Sequence, residues 1–578
     1  MSLLQKLGGI LTRKYVLSSH TVIALSVLFM IVFDNDVFWT SLFSVIDLSS
    51  PGMWLFLFAC FIFIFAVCFT FFAVFGIGRL LPPLLAIVLI LAAFTSYYMD
   101  AYGTVFDDVM VLNIVETNVH EAMELFDLKL WLHVLLYGFL PVFVLYRITI
   151  RHKPLLQALS LRLISVMAVV SIASATVYVS YKDMAFVFRE NREISFFVNP
   201  VYPMRAIYRF AEKKVHDSNR QFLAVFEDAV KISHAGSADA GNAGNKHKNV
   251  LVIVVGETAR AQNFHIDGYK RNTTPHLEQH KVISFKNVSS CGTATAVSLP
   301  CMFSDLTHDN FDDNAAKSRQ NLLDAVNIAG LQTLWVENNP DCKGVCDRIE
   351  QYDIAHIYSD EFCSDGGCYD EALFHGLDDY INNIKTDTVI VLHTQGSHGP
   401  AYYRRYPQEF KVFVPECRTS TVQDCSDEEV INAYDNTILY TDYILSKVID
   451  YLETKTAAIN PAMLYISDHG ESLGEDGAYL HGLPYFLAPE FQKRVPLIVW
   501  LSDSFKQNKK LDESCLNEKA NDALSHDNVI HSVLGVMDVS ASLYKADLDI
   551  FSSCRPETVE SPLRAQLNQS AGVGSRPL

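Results

Sequence analysis

Apolar residues divide the chain into two parts of different texture. Five long apolar runs lie within the first 180 residues, at about 15–34, 52–76, 80–99, 129–149 and 158–180. A helix of about 20 apolar residues crosses the hydrocarbon core of a bilayer, which is roughly 30 Å thick. Five such runs in so short a stretch favour membrane spans over buried core helices. We therefore predict a transmembrane domain of five α-helices over residues 1–180.

The next stretch, 181–245, predicts a bridging region. Residues 181–232 mix aromatic, apolar and basic side chains, a composition typical of helices that lie at a membrane interface. The small and polar residues from His234 to Asn245 then predict a flexible linker. A second domain is expected to begin at residue 246.

Beyond the linker, short apolar runs alternate with helical patterns. The runs lie at 249–255, 331–336, 388–393, 463–467 and 495–501. Continuous apolar runs of this length indicate strands that are covered on both faces. The alternation predicts an α/β/α sandwich with a mostly parallel sheet over residues 246–555. Residues 556–578 are predicted to form a polar tail.

Basic residues set the predicted orientation of the spans. They precede the first span and fill two of the connections, as Lys6, Arg13, Lys14, Arg79, Arg147, Arg151, Lys153 and Arg162. Because cytoplasmic loops are enriched in Lys and Arg, we expect a cytoplasmic N-terminus and a second domain outside. The first apolar run precedes further spans and not a small-residue cleavage site, which argues against a cleaved signal peptide. The net charge of −19 argues against a nucleic-acid partner.

Cysteine usage agrees with this orientation. Cys60 and Cys68 lie within the second span, where we expect them to pack as apolar side chains. The other ten are Cys291, Cys301, Cys342, Cys346, Cys363, Cys368, Cys417, Cys425, Cys515 and Cys554. An even number confined to the outer part indicates disulfides in an oxidising compartment, and pairing of neighbours is the simplest arrangement. A zinc site built from the four cysteines between 342 and 368 is the alternative.

Polar residues at two predicted strand ends are suited to a metal ion. Glu257 follows the first strand, and Asp468 and His469 follow the fourth. Ligands bind at the carboxyl ends of parallel strands, so these side chains are expected to meet. Carboxylate and imidazole ligands without thiolate fit Zn²⁺, and Mn²⁺ less well. Each residue alone would more often be a cap or a surface group.

Other loops after strands carry groups suited to phosphate. His398 and His481, each flanked by Gly and Pro, could bind a phosphate, donate a proton or ligate a second metal. Asn339 and Lys343 follow the 331–336 strand and could bind the oxygens of an anion.

Two threonines, Thr293 and Thr295, lie between Cys291 and Cys301 just before a predicted helix. A hydroxyl beside a divalent cation loses its proton more readily and becomes a nucleophile. A helix N-terminus would stabilise both the alkoxide and a bound phosphate. The alternative is that the threonines only cap the helix, which is their commoner role.

One polar set lies between spans three and four. Asn113, Thr117 and Glu121 are spaced four apart and are therefore predicted to share one helix face. On spacing alone, an ordinary solvated face is the more common explanation.

Taken together, the chain resembles the lipid A phosphoethanolamine transferases, which include the mobile colistin-resistance enzymes and belong to the alkaline phosphatase/sulfatase-like superfamily. The resemblance covers nearly the whole chain. The motifs that carry it are Val255–Arg260, Ser290–Ser304, Asn338–Gly344, Gly396–Pro400, Ser467–Gly474 and Tyr479–Gly482. It implies a multi-pass protein of the bacterial inner membrane with a periplasmic catalytic domain.

The resemblance also implies residue roles. The nucleophile falls on Thr295, which leaves Thr293 to support the turn. The implied primary zinc ligands are Glu257, Thr295, Asp468 and His469. The implied phosphate-binding or second-metal residues are His398, His481, Lys343 and Glu471. The implied contacts to the lipid head group are Asn113, Thr117 and Glu121.

The implied reaction is a double displacement that uses one zinc ion, or two. Thr295, deprotonated on zinc, attacks the phosphorus of phosphatidylethanolamine, and diacylglycerol leaves, protonated by a histidine. A lipid A phosphate then attacks the phosphoethanolamine–threonine intermediate. The added ethanolamine cation weakens the binding of cationic peptides such as polymyxin. The expected partners are the two lipids and the bilayer, with the protein acting as a monomer.

Two alternative functions remain open. The acceptor could instead be a core heptose or a periplasmic glucan, with the same donor. The enzyme could also be a phosphatase-like or sulfatase-like hydrolase that passes the group to water. A non-catalytic membrane sensor is disfavoured because every catalytic position is filled.

Overall fold

The computed structural model describes residues 15–49, 51–117, 119–151, 153–217, 220–232, 247–354, 362–364 and 367–556. The chain divides into two compact units. One comprises Met1–Val111 with Phe126–Lys213, and the other comprises Leu112–Leu125 with Lys214–Leu578. Lys6, Arg13, Lys14, the predicted linker from His234 to Asn245 and residues 557–578 of the predicted tail lie outside the described residues.

The first unit is helical. Its helices are Ser19–Phe33, Asp36–Val45, Pro51–Phe75, Leu81–Tyr102, Asp108–Glu116, Leu128–His133, Leu140–Arg147, Leu155–Val179, Tyr181–Glu190 and Val201–Asp217. Two of them, Asp108–Glu116 and Val201–Asp217, extend beyond the boundary of the unit. Short segments connect some of them, namely the 3-10 helices Gly78–Leu80 and Arg192–Phe197 and the π-helix Val134–Phe139.

Four helical stretches among the described residues are long and apolar enough to cross a membrane, at Gly52–Phe75, Gly78–Tyr102, Leu128–Arg147 and Leu156–Val179. A further candidate is the pair Ser19–Phe33 and Asp36–Val45, which is bent by 58° at its break. The prediction of five spans therefore holds only if the bent pair counts as one span.

The predicted start of the first span is wrong. Residues Tyr15–Ser18 form a strand that pairs in parallel with Ile148–Arg151, and the helix begins only at Ser19. The β-branched residues Val16, Ile148 and Ile150 suit an extended backbone. Because these residues are also apolar, their strands merge with the neighbouring apolar runs, and hydrophobicity alone cannot mark the boundary.

A buried polar network holds the bend of the first helix pair. Asn35 donates from its amide to the carbonyls of Met30, at 2.9 Å, and Asn199, at 2.7 Å. The Asn199 amide in turn donates to the carbonyls of Asp34, at 3.0 Å, and Ala92, at 2.8 Å. Asn199 is fully buried. It therefore satisfies the Asp34 carbonyl at the break and joins the break to the helix Leu81–Tyr102.

The second unit is built on a seven-stranded sheet. Its strands, numbered in chain order, are β1 Lys248–Gly256, β2 Val282–Phe285, β3 Gln332–Glu337, β4 Glu350–Asp353, β5 Thr388–His393, β6 Ile459–Ser467 and β7 Leu497–Leu501. Their spatial order is β2-β7-β6-β1-β5-β3-β4. Only β7 runs antiparallel to its neighbours, whereas β6, β1, β5, β3 and β4 are mutually parallel.

Helices accompany this sheet and bury its strands. They are Val119–Glu124, Thr295–Met302, Asp313–Lys317, Leu322–Ile328, Leu377–Asn383, Asp427–Thr454, Glu490–Lys493, Asp503–Lys509, Glu513–Glu518 and Asp527–Val536. Strands β1, β5 and β6 are buried along almost their whole length, as their continuous apolar runs predict. The predicted α/β sandwich is therefore confirmed, with two additional short strands, β2 and β4, at its edges.

The ten outer cysteines form five neighbour pairs, Cys291–Cys301, Cys342–Cys346, Cys363–Cys368, Cys417–Cys425 and Cys515–Cys554. The alternative of a zinc site between residues 342 and 368 is wrong, because each of its four sulfurs is bonded to another. Cys60 and Cys68 are free and buried.

Replacing Asn199 by Ala tests the role of the network at the helix bend. The change removes the donors to two buried carbonyls, so we expect a loss of about 1–2 kcal/mol of stability. Thermal unfolding of the purified protein in detergent measures the effect. The matched control is Ser195→Ala, which removes one local bond to the Arg192 carbonyl. Equal unfolding temperatures for the two variants would contradict the role assigned to Asn199.

Candidate active site

The carboxylates expected at the strand ends do meet. Strands β1 and β6 pair in parallel with Gly256 opposite Ser467, so Glu257 and Asp468 emerge side by side. The His469 Nε2 atom lies 3.4 Å from Glu257 Oε1 and 3.3 Å from Asp468 Oδ2. All three side chains are fully buried. The following residue, Gly470, lies so close to the Phe491 carbonyl that no Cβ could fit there.

Thr295 completes this cluster. It is the first residue of the helix Thr295–Met302, and its hydroxyl donates to Glu257 Oε2 at 3.0 Å. The same oxygen lies 3.3 Å from His469 Nε2. Unlike the three buried residues, Thr295 is partly exposed. Its oxygen can therefore be reached from solvent while it touches two buried polar groups.

The hydroxyl of Thr293 has a different partner. It donates to the Leu483 carbonyl at 2.6 Å, and the Thr293 carbonyl accepts from the Gly482 amide at 2.8 Å. Neither threonine caps the helix with its side chain, since the N-cap is Ala294 and no side chain bonds there. Thr293 instead connects the turn before Thr295 to the loop that carries His481.

The cluster has the chemistry of a cation site. Asp468 Oδ2 is buried and has no hydrogen-bond partner among the described residues. His469 Nδ1 lies 2.9 Å from the Gly470 carbonyl and donates to it, which leaves the lone pair of Nε2 facing the acids. Burial raises the pKa of Asp468, and the negative charge of Glu257 adds to this effect. A divalent cation would neutralise the carboxylates and fill the open coordination of Oδ2.

Thr258 and Asn339 fix the orientation of the carboxylates. Thr258 has a left-handed backbone, with φ of 59°, which is unusual for a β-branched residue. In this conformation its hydroxyl donates to Glu257 Oε1 at 2.5 Å and its amide donates to Asp468 Oδ1 at 3.1 Å. Asn339 donates to Glu257 Oε2 at 2.9 Å and to the Thr394 carbonyl at 3.1 Å. Both amide protons of Asn339 therefore bond within the site, and its contact with an anion stays a prediction.

His398 and His481 lie beside this cluster. The His481 ring centroid is 4.4 Å from that of His469 and 5.8 Å from that of His398. His481 Nδ1 lies 3.1 Å from Glu471 Oε2, and the Tyr402 hydroxyl donates to Glu471 Oε1 at 3.1 Å. Burial keeps the pKa of Tyr402 well above its usual range, so Tyr402 remains a donor. Glu471, fully buried, therefore orients His481.

Lys343 has other neighbours. Its ammonium donates to the Glu116 carbonyl at 3.2 Å and lies 3.9 Å from the Asp341 carboxylate. The Glu116 carboxylate pairs with Lys317. Among the described residues, no hydrogen bond joins Lys343 to Glu257, Asp468 or His469.

Asn113, Thr117 and Glu121 do not lie on one continuous helix. The first helix ends at Glu116, and the next begins at Val119. The amide and the hydroxyl of Thr117 both donate to the Asn113 carbonyl, at 2.8 and 2.6 Å, so these two residues lie one helical turn apart. The Glu121 side chain lies outside the described residues.

His526 is a site residue that the sequence did not reveal. It accepts the Cys291 amide at Nδ1, at 3.1 Å, and donates from Nε2 to the Ser467 carbonyl at 3.0 Å. Burial lowers the pKa of His526 to about 4, so the ring is neutral at physiological pH. His526 therefore links the turn before Thr295, at Cys291, to the end of β6. No local motif surrounds it, whereas Thr258 lies within the Val255–Arg260 motif and could have been included.

Each unit of the chain is similar to a known protein family. Residues 249–539 match the family model "Sulfatase", and residues 64–215 match the model "Phosphoethanolamine transferase EptA/EptB". The chain is 40% identical over 479 residues to phosphoethanolamine transferase EptA of Salmonella typhimurium, which covers 82% of this chain and 86% of that protein. It is 35% identical over 477 residues to phosphatidylethanolamine transferase Mcr-1 of Escherichia coli, covering 80% and 85% respectively.

A solved structure agrees with these relatives. The integral membrane lipooligosaccharide phosphoethanolamine transferase A of Neisseria meningitidis superposes with a TM-score of 0.89 at 32% identity. The superposition covers 94% of this chain and all of that one. The resemblance drawn from the motifs and the predicted combination of membrane helices with a sulfatase-like domain are thereby confirmed. The chain belongs to the phosphoethanolamine transferase family and is itself a phosphoethanolamine transferase.

Proposed function

We propose that this enzyme transfers phosphoethanolamine from phosphatidylethanolamine to a lipid A phosphate through a covalent intermediate on Thr295. The observation that carries the proposal is the contact of Thr295 Oγ1 with Glu257 and His469. The names of relatives support the lipids. Mcr-1 is named for phosphatidylethanolamine, and the solved Neisseria meningitidis enzyme for lipooligosaccharide. A further relative from Escherichia coli, 28% identical, is named a Kdo(2)-lipid A phosphoethanolamine transferase.

The proposed cofactor is zinc, held by Glu257, Asp468, His469 and Thr295. Hard oxygen ligands with one imidazole, and no thiolate, fit Zn²⁺. When bound, the ion supplies positive charge that lowers the pKa of a hydroxyl and polarises a phosphoryl oxygen. Glu471, His398 and His481 form an adjacent set that would hold a phosphate or a second ion.

The residues of the chain account for the first displacement. The Thr295 hydroxyl proton has an acceptor 3.0 Å away in Glu257. Glu257 also accepts from Thr258 and Asn339, and these bonds orient its carboxylate toward Thr295. Thr295 Oγ1 forms a bond to phosphorus while the bond to the diacylglycerol oxygen breaks. His481, oriented by Glu471, is the proposed proton donor to that oxygen.

In the second displacement, Thr295 Oγ1 is the leaving group and not the attacking group. An oxygen of a lipid A phosphate bonds to the same phosphorus, and the phosphorus–Oγ1 bond breaks, which restores Thr295. The backbone amides at the start of the helix Thr295–Met302 face the phosphate in both steps and stabilise its charge. Lys343, Asn113, Thr117 and Glu121 remain predictions as contacts to phosphate and lipid head group.

The proposed setting is the bacterial inner membrane, with a cytoplasmic N-terminus and a periplasmic catalytic unit. Its support is the distribution of basic residues together with the five disulfides, which require an oxidising compartment. Ethanolamine on lipid A would add a cation to the surface, and we propose that this confers resistance to polymyxin.

Replacing Thr295 by Ala tests the nucleophile. We expect loss of phosphoethanolamine on lipid A by at least roughly a thousandfold, measured by mass spectrometry of lipid A from expressing cells. Thr295→Ser keeps a hydroxyl and should retain part of the activity. Thr293→Val, which removes only the bond to Leu483, should cost about tenfold or less. Full activity of Thr295→Ala would refute the nucleophile, and free phosphoethanolamine without modified lipid A would favour the hydrolase.

Removing the metal tests the cofactor. Dialysis of the purified enzyme against a chelator should abolish both transfer and formation of the covalent intermediate, because Thr295 then has no cation to lower its pKa. Added Zn²⁺ should restore activity more fully than Mn²⁺. Metal content measured by elemental analysis must fall and return in parallel. Full activity of protein shown to be metal-free would rule out the proposal.

Thr258 tests how the ligands are oriented. Thr258→Val removes the hydroxyl that donates to Glu257, and we expect zinc affinity to fall about 10- to 100-fold. Chelator competition with the purified enzyme measures this affinity independently of catalysis. Thr258→Ser keeps the hydroxyl and serves as the control. If Val and Ser variants bind zinc alike, the hydroxyl has no part in orienting Glu257.

A further inference from the structure

The helical unit contains a cavity of about 630 Å³ that the transfer reaction does not use. It lies where three parts of this unit meet, at residues 18–20, 77–79 and 151–165. Each part adjoins an end of a membrane-spanning candidate helix. The volume is within the range of ligand sites in proteins, roughly 300–1,000 Å³.

The walls of the cavity carry a concentrated positive charge. Arg79, Arg151, Lys153 and Arg162 all line it, and none of its described lining residues is acidic. Within the described part of the chain, none of these four cations forms an ion pair with a carboxylate. Four close cations repel one another, so the arrangement is more stable when an anion lies between them.

Arg162 is a buried and hydrogen-bonded part of the cavity wall. Only 7% of it is exposed, and its guanidinium donates to the carbonyls of Ala73 and Gly76, each at 2.8 Å. Ala73 lies in the last turn of the helix Pro51–Phe75, and Gly76 directly follows that helix. The charge of Arg162 is therefore held in a fixed position beside the cavity. The buried Nε2 of His20, another lining residue, has no hydrogen-bond partner among the described residues.

The other lining residues indicate what kind of anion fits. Ile77, Leu159 and Leu161 give the cavity an apolar wall beside the cations. Ile77 and Leu159 are more than one-third exposed, as side chains that face acyl chains would be. A ligand with a phosphate and an adjoining hydrocarbon chain matches both surfaces. A zwitterionic ethanolamine head group would also need a carboxylate for its ammonium, which the lining lacks.

We propose that this cavity binds the phosphate of an acidic phospholipid from the surrounding bilayer. The distribution of basic residues predicts that it faces the cytoplasm. Clustered Lys and Arg between membrane helices on that side are suited to anionic head groups. The site would be separate from the donor site, since its ligand is acidic and the transferase donor is zwitterionic.

Native mass spectrometry of the full-length protein in detergent tests the proposal. The probes are phosphatidylglycerol, phosphatidylethanolamine and soluble glycerol 3-phosphate, each added separately. We expect phosphatidylglycerol to bind at least tenfold more tightly than glycerol 3-phosphate, whereas phosphatidylethanolamine, the proposed donor, binds at the catalytic site. The variant Arg79→Gln/Arg151→Gln/Lys153→Gln should weaken this binding on the order of a hundredfold, about fivefold for each cation removed. Arg162 is left intact because it also bonds to the backbone.

The matched control is Arg147→Gln, an exposed cation of the same unit that does not line the cavity. It should bind phosphatidylglycerol as the parent protein does. If the triple variant does not fold, the single variant Arg151→Gln should still show about a fivefold loss. Equal loss in Arg147→Gln, or an equal loss of phosphatidylethanolamine binding in the triple variant, would overturn the site. Equally tight binding of glycerol 3-phosphate would overturn its assignment to a lipid.

Discussion

The parallel pairing of β1 with β6 is the constraint on which the active site depends. It sets Gly256 opposite Ser467, and so it places two carboxylates next to each other at a dry end of the sheet. Like charges in such a place are unfavourable unless a cation accompanies them. The sheet supplies the rigidity that holds them together, because both strands are buried along nearly their whole length. The chemistry of the site follows from that enforced proximity.

Several bonds then bring Thr295 to the carboxylates. Thr293 joins the turn before Thr295 to the loop of His481, and His526 joins it to the end of β6. These contacts come from loops far apart in the chain. They explain how a partly exposed residue can keep its hydroxyl at a defined distance from two buried side chains. Loss of either connection would move Thr295 without removing any side chain of the cluster.

The sequence predicted the central sheet and the meeting of Glu257, Asp468 and His469 well because both depend on local patterns. Glu257, Asp468 and His469 directly follow apolar runs, and the end of a buried strand is a place where polar groups meet. The short strands β2 and β4 were not predicted, because these edge strands lack a long apolar run. The position of His526 beside the site was not predicted, because its partners, Cys291 and Ser467, are distant in sequence and no spacing rule connects them. In the helical unit, apolar strands beside apolar helices concealed where the first span begins.

The bridge between Cys291 and Cys301 restrains the turn and the helix that carry Thr295. The helix that starts at Thr295 has only eight residues, too few for a helix to be stable on its own. Enclosed in a covalent ring, it cannot unwind far without straining the closed chain. A reduced polypeptide would lack that restraint, so the position of the Thr295 hydroxyl is linked to the oxidation state of two cysteines that are not part of the cluster.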